Sequence, residues 1–132
     1  MRDRDESCTW ESSLDALVAA PAHHSLIYEN EQVRVLRTQI PLGDVVPVHT
    51  HCWGGFLIVL TWSHLLRRNA LGSVTLDTRL DPKTPELLTP QWQQALPPHS
   101  VENVGETLFE GLLIEIKDKP ELPYPALQLN SS

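Results

Sequence analysis

The sequence predicts an all-β domain, folded as an antiparallel sandwich or barrel. From Leu26 onward, short segments rich in β-branched and aromatic residues are separated by turn signals every ~8–12 residues. The clearest turns are Pro41-Leu42-Gly43-Asp44 and Asn69-Ala70-Leu71-Gly72. Helical segments do not alternate with these strands, as a parallel sheet would require. An all-β fold therefore explains the pattern best.

The 132 residues fit one domain with an extension at each end. We expect an N-terminal extension over residues 1–24, a barrel over residues 25–117 and a C-terminal tail over residues 118–132. In the extension, Ser12 or Ser13 could cap a short helix that runs to Ala19, before Pro21. The predicted strands cover residues 25–28, 33–40, 46–51, 56–62, 64–68, 74–79, 92–96, 100–104 and 108–117.

Composition and charge exclude several functions. The net charge of −7 argues against binding nucleic acid, because such proteins need a clustered basic surface. No apolar run is long enough to cross a membrane, and residues 1–6 lack the apolar stretch of a signal peptide. We therefore expect a cytoplasmic protein in which Cys8 and Cys52 are reduced thiols.

Three of the six histidines form a pattern typical of a metal site. His49 and His51 lie two residues apart on a predicted strand, so their imidazoles share one face. His99 begins a later strand, which we expect to face the first across the barrel interior. Three neutral imidazoles with open positions would hold a divalent ion. The other histidines, His23, His24 and His64, are expected at the surface.

These motifs resemble those of the cupins. Gly43, five residues and then His49-Thr50-His51 resemble the first cupin motif, and His99 followed by Asn103 resembles the end of the second. The resemblance covers roughly residues 25–117. It extends to small single-domain cupins, in which the barrel often begins with a sequence similar to that of residues 28–35. It implies an antiparallel double-stranded β-helix, the jelly-roll barrel, with one or two short helices near the N-terminus. It also implies one divalent metal ion bound by His49, His51 and His99.

The motifs depart from the cupin pattern in one chemically important way. The glutamate ligand that cupins carry would fall at Gly55 or Phe56, so the carboxylate is missing. Three imidazoles leave the full charge of the ion in place, which favours an anionic ligand. If the geometry is that of a cupin, glutamate placed at Gly55 should reach the ion. Trp62 and Leu96 also replace motif glycines.

The resemblance then points to three-histidine cupins, which include iron-dependent dioxygenases. The leading hypothesis is an enzyme of dioxygenase or isomerase type that acts on a small anionic metabolite. The alternative is a non-catalytic cupin that binds a small molecule or metal as a sensor. Imidazole ligands suit iron, zinc, nickel, manganese and copper in varying degree, so the sequence does not identify the metal.

Several other residues are candidates for roles near the site. Glu110 and Glu115 lie on opposite faces of one strand, so one of them faces inward and could act as a distant acid or base. Tyr28, Arg34 and Arg37 could anchor an anionic substrate, although solvated strand positions are the simpler interpretation.

Two further predictions concern packing. Trp53 and Trp62 either line a pocket or pack in the core. The apolar segment Leu26–Tyr28 predicts a homodimer, because an apolar edge needs cover.

Overall fold

The computed structural model describes residues 8–117, so the predicted tail lies outside the described residues. A 3-10 helix over Ser12–Leu14 and helix α1 over Ala16–Ala19 precede nine strands. The strands are β1 His24–Glu29, β2 Val33–Ile40, β3 Val45–His51, β4 Gly55–Thr61, β5 Leu65–Asn69, β6 Val74–Asp77, β7 Gln91–Gln93, β8 Leu96–Asn103 and β9 Phe109–Ile116. A second 3-10 helix covers Thr78–Leu80.

The strands form two antiparallel sheets. One has five strands in the order β1-β2-β9-β4-β7, and the other has four in the order β3-β8-β5-β6. Buried side chains of both sheets form the core, among them Ile40, Val46, Val59 and Phe109. The predicted all-β class is therefore confirmed.

The N-terminal segment is broken at Asp15 rather than forming one helix. The Asp15 carboxylate accepts a hydrogen bond from the Leu17 amide at 3.1 Å and so caps α1. Asp15 also forms an isolated bridge with Thr50 of β3, and its side chain is buried. This segment therefore packs against the barrel beside the end of β3.

Gly43 and Asn103, which belong to the two cupin-like motifs, both have structural roles. Gly43 has a φ of +83°, which glycine adopts without strain, in the turn before β3. The Asn103 amide donates hydrogen bonds to the carbonyls of Ile40 and Thr107, both at 2.8 Å. Asn103 therefore ties together the strand ends at one rim of the barrel.

The prediction of reduced thiols is wrong, because Cys8 and Cys52 form a disulfide. Their Cα atoms are 5.3 Å apart although 44 positions separate them in sequence. Spacing alone could not reveal this proximity, since it depends on how the N-terminal segment packs beside β3. Disulfides persist mainly in oxidising compartments, so the cysteines no longer support a cytoplasmic location. Among the described residues, no helix is long and apolar enough to span a bilayer.

Candidate metal centre

His49, His51 and His99 converge at one end of the space between the sheets. His49 and His99 are direct cross-strand partners on β3 and β8, and their ring centroids are 4.3 Å apart. The His51 ring lies 5.1 Å from that of His49 and 5.8 Å from that of His99. The three rings therefore lie close together, although His99 is not in the group whose candidate ligand atoms all lie within 4.8 Å of one another. The expectation that His99 faces the pair across the interior is wrong, because β3 and β8 are neighbours in one sheet.

A fourth imidazole, His24, reaches the cluster from the opposite sheet. His24 begins β1, is only 6% exposed, and has its ring 4.8 Å from that of His49 and 5.5 Å from that of His51. Candidate ligand atoms of His24, His49 and His51 all lie within 4.8 Å of one another. The prediction that His24 is a surface residue is therefore wrong. We name the four residues His24, His49, His51 and His99 the histidine cluster.

One ring nitrogen of every cluster histidine already has a hydrogen-bond partner. Nδ1 bonds to the carbonyl oxygen of Ala20 in His24, of Pro47 in His49 and of Pro97 in His99, at 3.0, 2.7 and 2.8 Å. In His51, Nδ1 bonds to the Glu115 carboxylate at 2.9 Å. Because these oxygens accept the hydrogen bond, each Nδ1 carries a proton, which leaves Nε2 as the ring nitrogen that can bind a metal ion. Metal-binding histidines are oriented in this way.

The same local motif orients His49 and His99. Each follows a proline by two positions, and its Nδ1 donates to the carbonyl of that proline. The pairing of β3 with β8 is irregular on both sides of His49. The carbonyls of Pro47 and Pro97 therefore accept from the rings at a place where the ladder between β3 and β8 is irregular.

Burial keeps three of the four cluster imidazoles uncharged. Burial is the largest effect that lowers the pKa of His24, His49 and His99 from 6.5 to about 3, and neighbouring imidazoles lower it further. These three rings are therefore neutral near pH 7, which is the form that binds a metal ion.

A buried ion-pair network supports His51. The second carboxylate oxygen of Glu115 accepts a hydrogen bond from Arg34 Nε at 2.6 Å, and the Arg34 guanidinium binds Asp15 in a bidentate pair at 2.9 and 3.0 Å. All three side chains are buried, and the Arg34 guanidinium lies 5.0 Å from the centroid of the Trp53 ring. Burial opposes the charge of Arg34, but its bonds to Asp15 and Glu115 outweigh burial and raise its pKa.

This network corrects one expectation and makes another specific. Arg34 is not a solvated strand residue, because its strand position faces the interior. Glu115 is the inward-facing glutamate of β9 and reaches the cluster through His51 rather than directly. With both carboxylates ionised, the network carries one net negative charge behind His51. That charge lies where it would favour a cation at Nε2.

No family model matches the sequence, and no curated protein is similar to it. Solved structures are similar. A cupin domain from Bordetella pertussis Tohama I shares 25% identity over 72% of this chain and 92% of that chain, with a TM-score of 0.58. A cupin protein from Bacteroides fragilis shares 14% identity over 100% and 99%, with a TM-score of 0.53. An RmlC-like cupin from Methanocaldococcus jannaschii, described as a double-stranded β-helix, shares 10% over 71% and 80%, with a TM-score of 0.50.

The chain folds as a small cupin domain. The predicted double-stranded β-helix is thereby confirmed. A cluster of three histidines within that fold is compatible with a metal site.

In this cupin domain, the position of Gly55 has no room for the glutamate ligand that the first motif lacks. A Cβ atom at Gly55 would overlap the Ile114 carbonyl oxygen and lie 2.8 Å from the Glu115 Cα. The expectation that glutamate at Gly55 would reach an ion is therefore wrong, because β9 backbone fills that space. Glu115 is the direct cross-strand partner of Gly55. The neighbouring strand thus brings a carboxylate to this end of the barrel.

The remaining candidates lie away from the cluster. Glu110 accepts a hydrogen bond from Arg37 Nε at 2.6 Å on the outer face of the sheet, and Tyr28 is 55% exposed. None of these three side chains lines the cavity beside the cluster. His23 bonds to Asp44 and His64 to Thr78, both outside the cluster.

The two tryptophans have different places. Trp62 lines the cavity beside the cluster. Trp53 is instead buried against Arg34.

Proposed function

We propose that the histidine cluster binds one divalent metal ion and that the domain uses it to act on a small anionic metabolite. The observation that carries this proposal is the hydrogen bond that each of the four rings makes through Nδ1. Each Nδ1 is held by an acceptor, which leaves Nε2 as the metal-binding nitrogen, on imidazoles that approach from both sheets. Four such nitrogens in a buried site suit iron, zinc, nickel or copper, with manganese less favoured because it prefers oxygen ligands.

A bound divalent ion would supply Lewis-acid chemistry and, if redox-active, one-electron chemistry. The residues of this chain hold and orient the ligands. Glu115 fixes the tautomer of His51 and brings negative charge close to it, while Ala20, Pro47 and Pro97 fix the other rings. The core side chains around the cluster limit access of water. These features support an enzyme of dioxygenase or isomerase type.

A second candidate, a non-catalytic binding or sensor cupin, follows from the presence of His24. A tetrahedral ion such as zinc would be saturated by four imidazoles, and closed sites of this kind are structural. An ion with octahedral coordination would keep two positions for a ligand. The metal and the participation of His24 therefore distinguish the two candidates.

Turnover by protein loaded with one metal at a time would test the proposed activity. Chelator-treated protein would receive iron(II), zinc, nickel, manganese or copper, followed by small carboxylic acids, thiols and diketones. Oxygen uptake would report oxygenation, and proton NMR would report isomerisation. We expect activity that His51→Ala abolishes and His64→Ala retains, because His64 lies outside the cluster. Loaded protein that binds these compounds without converting any would support the sensor instead.

A further inference from the structure

A cavity of about 230 Å³ lies between the sheets and includes the whole histidine cluster in its wall. This volume is below the ~300–1,000 Å³ of ordinary ligand pockets, so only a small molecule fits. Most of the remaining wall is aliphatic or aromatic, including Leu57, Leu65, Val101, Phe109 and Leu113. The polar part away from the cluster comes from threonine and glutamine side chains and from one arginine, Arg67.

Among the residues that the structure describes, Arg67 is the only lysine or arginine in this wall, and no carboxylate lines it. Every other arginine within residues 8–117 pairs with a carboxylate, as Arg34, Arg37, Arg68 and Arg79 do. Over the same residues, no ion pair or side-chain hydrogen bond involves the Arg67 guanidinium. Burial lowers the pKa of Arg67, so its charge is held at a cost that no neighbouring acid offsets.

Arg67 lies close to the histidine cluster. It pairs across β5 and β8 with Val101, and the next inward-facing residue of β8 is His99. A ligand bound to Arg67 would therefore lie beside the cluster, against the apolar wall.

We infer that Arg67 binds the carboxylate of a small monocarboxylic acid whose apolar part fills the rest of the cavity. The guanidinium fork matches a planar carboxylate in a bidentate pair. A single unpaired cation and an apolar wall select one charged group attached to an apolar body. A polyanion such as citrate would bury charges that this wall cannot pair. The inference deepens the proposed function by naming its substrate class, but the Arg67 contact does not require a metal.

Matched acids and amides would test this contact. Isobutyrate and benzoate, with isobutyramide and benzamide, would be titrated into chelator-treated and metal-loaded protein and followed by NMR. We expect each acid to bind parent protein at least tenfold more tightly than its amide, in both forms of the protein. In the chelator-treated protein, where no ion can bind the acid, Arg67→Gln should remove this preference. Arg68→Gln should keep it, because Arg68 pairs with Glu102 and does not line the cavity. Arg67→Lys, which keeps the charge but loses the fork, should fall between them.

The metal-free arm separates this inference from the proposed function. Acid preference without any metal binding would support Arg67 and contradict the metal centre. Metal binding without acid preference would support the metal centre and contradict the role of Arg67. The inference is overturned if, in metal-free protein, amides bind as tightly as acids, if Arg67→Gln and Arg68→Gln behave alike, or if inorganic phosphate or citrate binds more tightly than the monocarboxylates.

Discussion

At the scale of single residues, the cluster depends on the groups behind its rings as much as on the rings. Glu115 is fully buried and joins His51 to Arg34, so it both orients a ligand and balances a buried cation. Loss of such a supporting partner typically weakens metal binding ~10–100-fold. The structure therefore predicts a large effect from a residue that touches no ion.

Glu115→Gln should weaken metal binding about 10–100-fold, because it removes the negative charge behind His51. It should also destabilise the fold by about 3–5 kcal/mol, since Arg34 loses one of its two buried acids. Metal affinity would be measured by calorimetry and stability by urea unfolding. Glu110→Gln is the matched control on the outer face of β9, and it should leave metal affinity unchanged. Equal affinities in the two variants would contradict the role of Glu115.

The sequence could predict only part of this arrangement. Period two places His49 and His51 together, and the recurring proline two positions before His49 and His99 is a signal for their orientation. Alternation also showed that one of the two glutamates on β9 faces inward. The sequence gives no comparable signal for His24. Its burial depends on how β1 of one sheet approaches β3 of the other.

At the scale of elements, the close approach of β4 and β9 decides which strand supplies a carboxylate. Gly55 lies directly opposite Glu115, and the backbone of β9 occupies the space of a side chain at Gly55. Motif spacing along one strand cannot show this, because it depends on the register between two strands distant in sequence. The sequence thus showed that the motif glutamate is missing, but it could not predict that the Glu115 carboxylate lies behind His51.

Gly55→Ala should destabilise the domain by about 3 kcal/mol or more, since its Cβ would overlap β9 backbone. Gly111→Ala on the facing strand is the control. Its Cβ would have its nearest neighbours at 3.3 Å, so it should cost much less. Urea unfolding of both variants would measure the difference. A Gly55→Ala protein as stable as Gly111→Ala would show that β4 and β9 do not approach this closely.

At the scale of the whole molecule, the neutral histidines link stability to pH. The pKa of His24, His49 and His99 is about 3 when folded, against an ordinary value of 6.5. Between these values the unfolded chain binds more protons than the folded chain. The stability that the three neutral rings contribute is therefore fully present above pH 6.5 and is lost as the pH falls toward 3. Each of the three can contribute about 1.4 kcal/mol per pH unit within that window.

The unfolding free energy of metal-free protein should therefore fall steeply between pH 6.5 and pH 5, as measured by urea denaturation. His99→Asn removes one of the three groups and should reduce this slope by up to about 1.4 kcal/mol per pH unit. The slope below pH 6.5 should also exceed that between pH 7 and pH 8. A stability that does not change from pH 7 to pH 5 would show that these three histidines are not held neutral by burial.

The assembly of the whole molecule remains a prediction. Strand β1 lies at the edge of its sheet, and Leu26 and Ile27 on it are 47% and 53% exposed. Such an edge favours pairing with a second copy. Sedimentation equilibrium should give twice the mass of the chain, and Ile27→Lys should shift the protein toward monomer. Leu71→Lys, at a turn position that is 90% exposed, should not. A parent protein that is monomeric at micromolar concentration would contradict the dimer.

The metal content of the purified protein tests the central claim most directly. Protein prepared without added metal or chelator would be analysed for its elements, beside His49→Ala and His64→Ala prepared in the same way. The histidine cluster predicts about one divalent ion per chain in the parent and in His64→Ala, and a clear loss in His49→Ala, since His49 contacts the other three rings. Parent protein that holds no divalent ion, and takes up none when iron, zinc, nickel, manganese or copper is added, would contradict the metal centre.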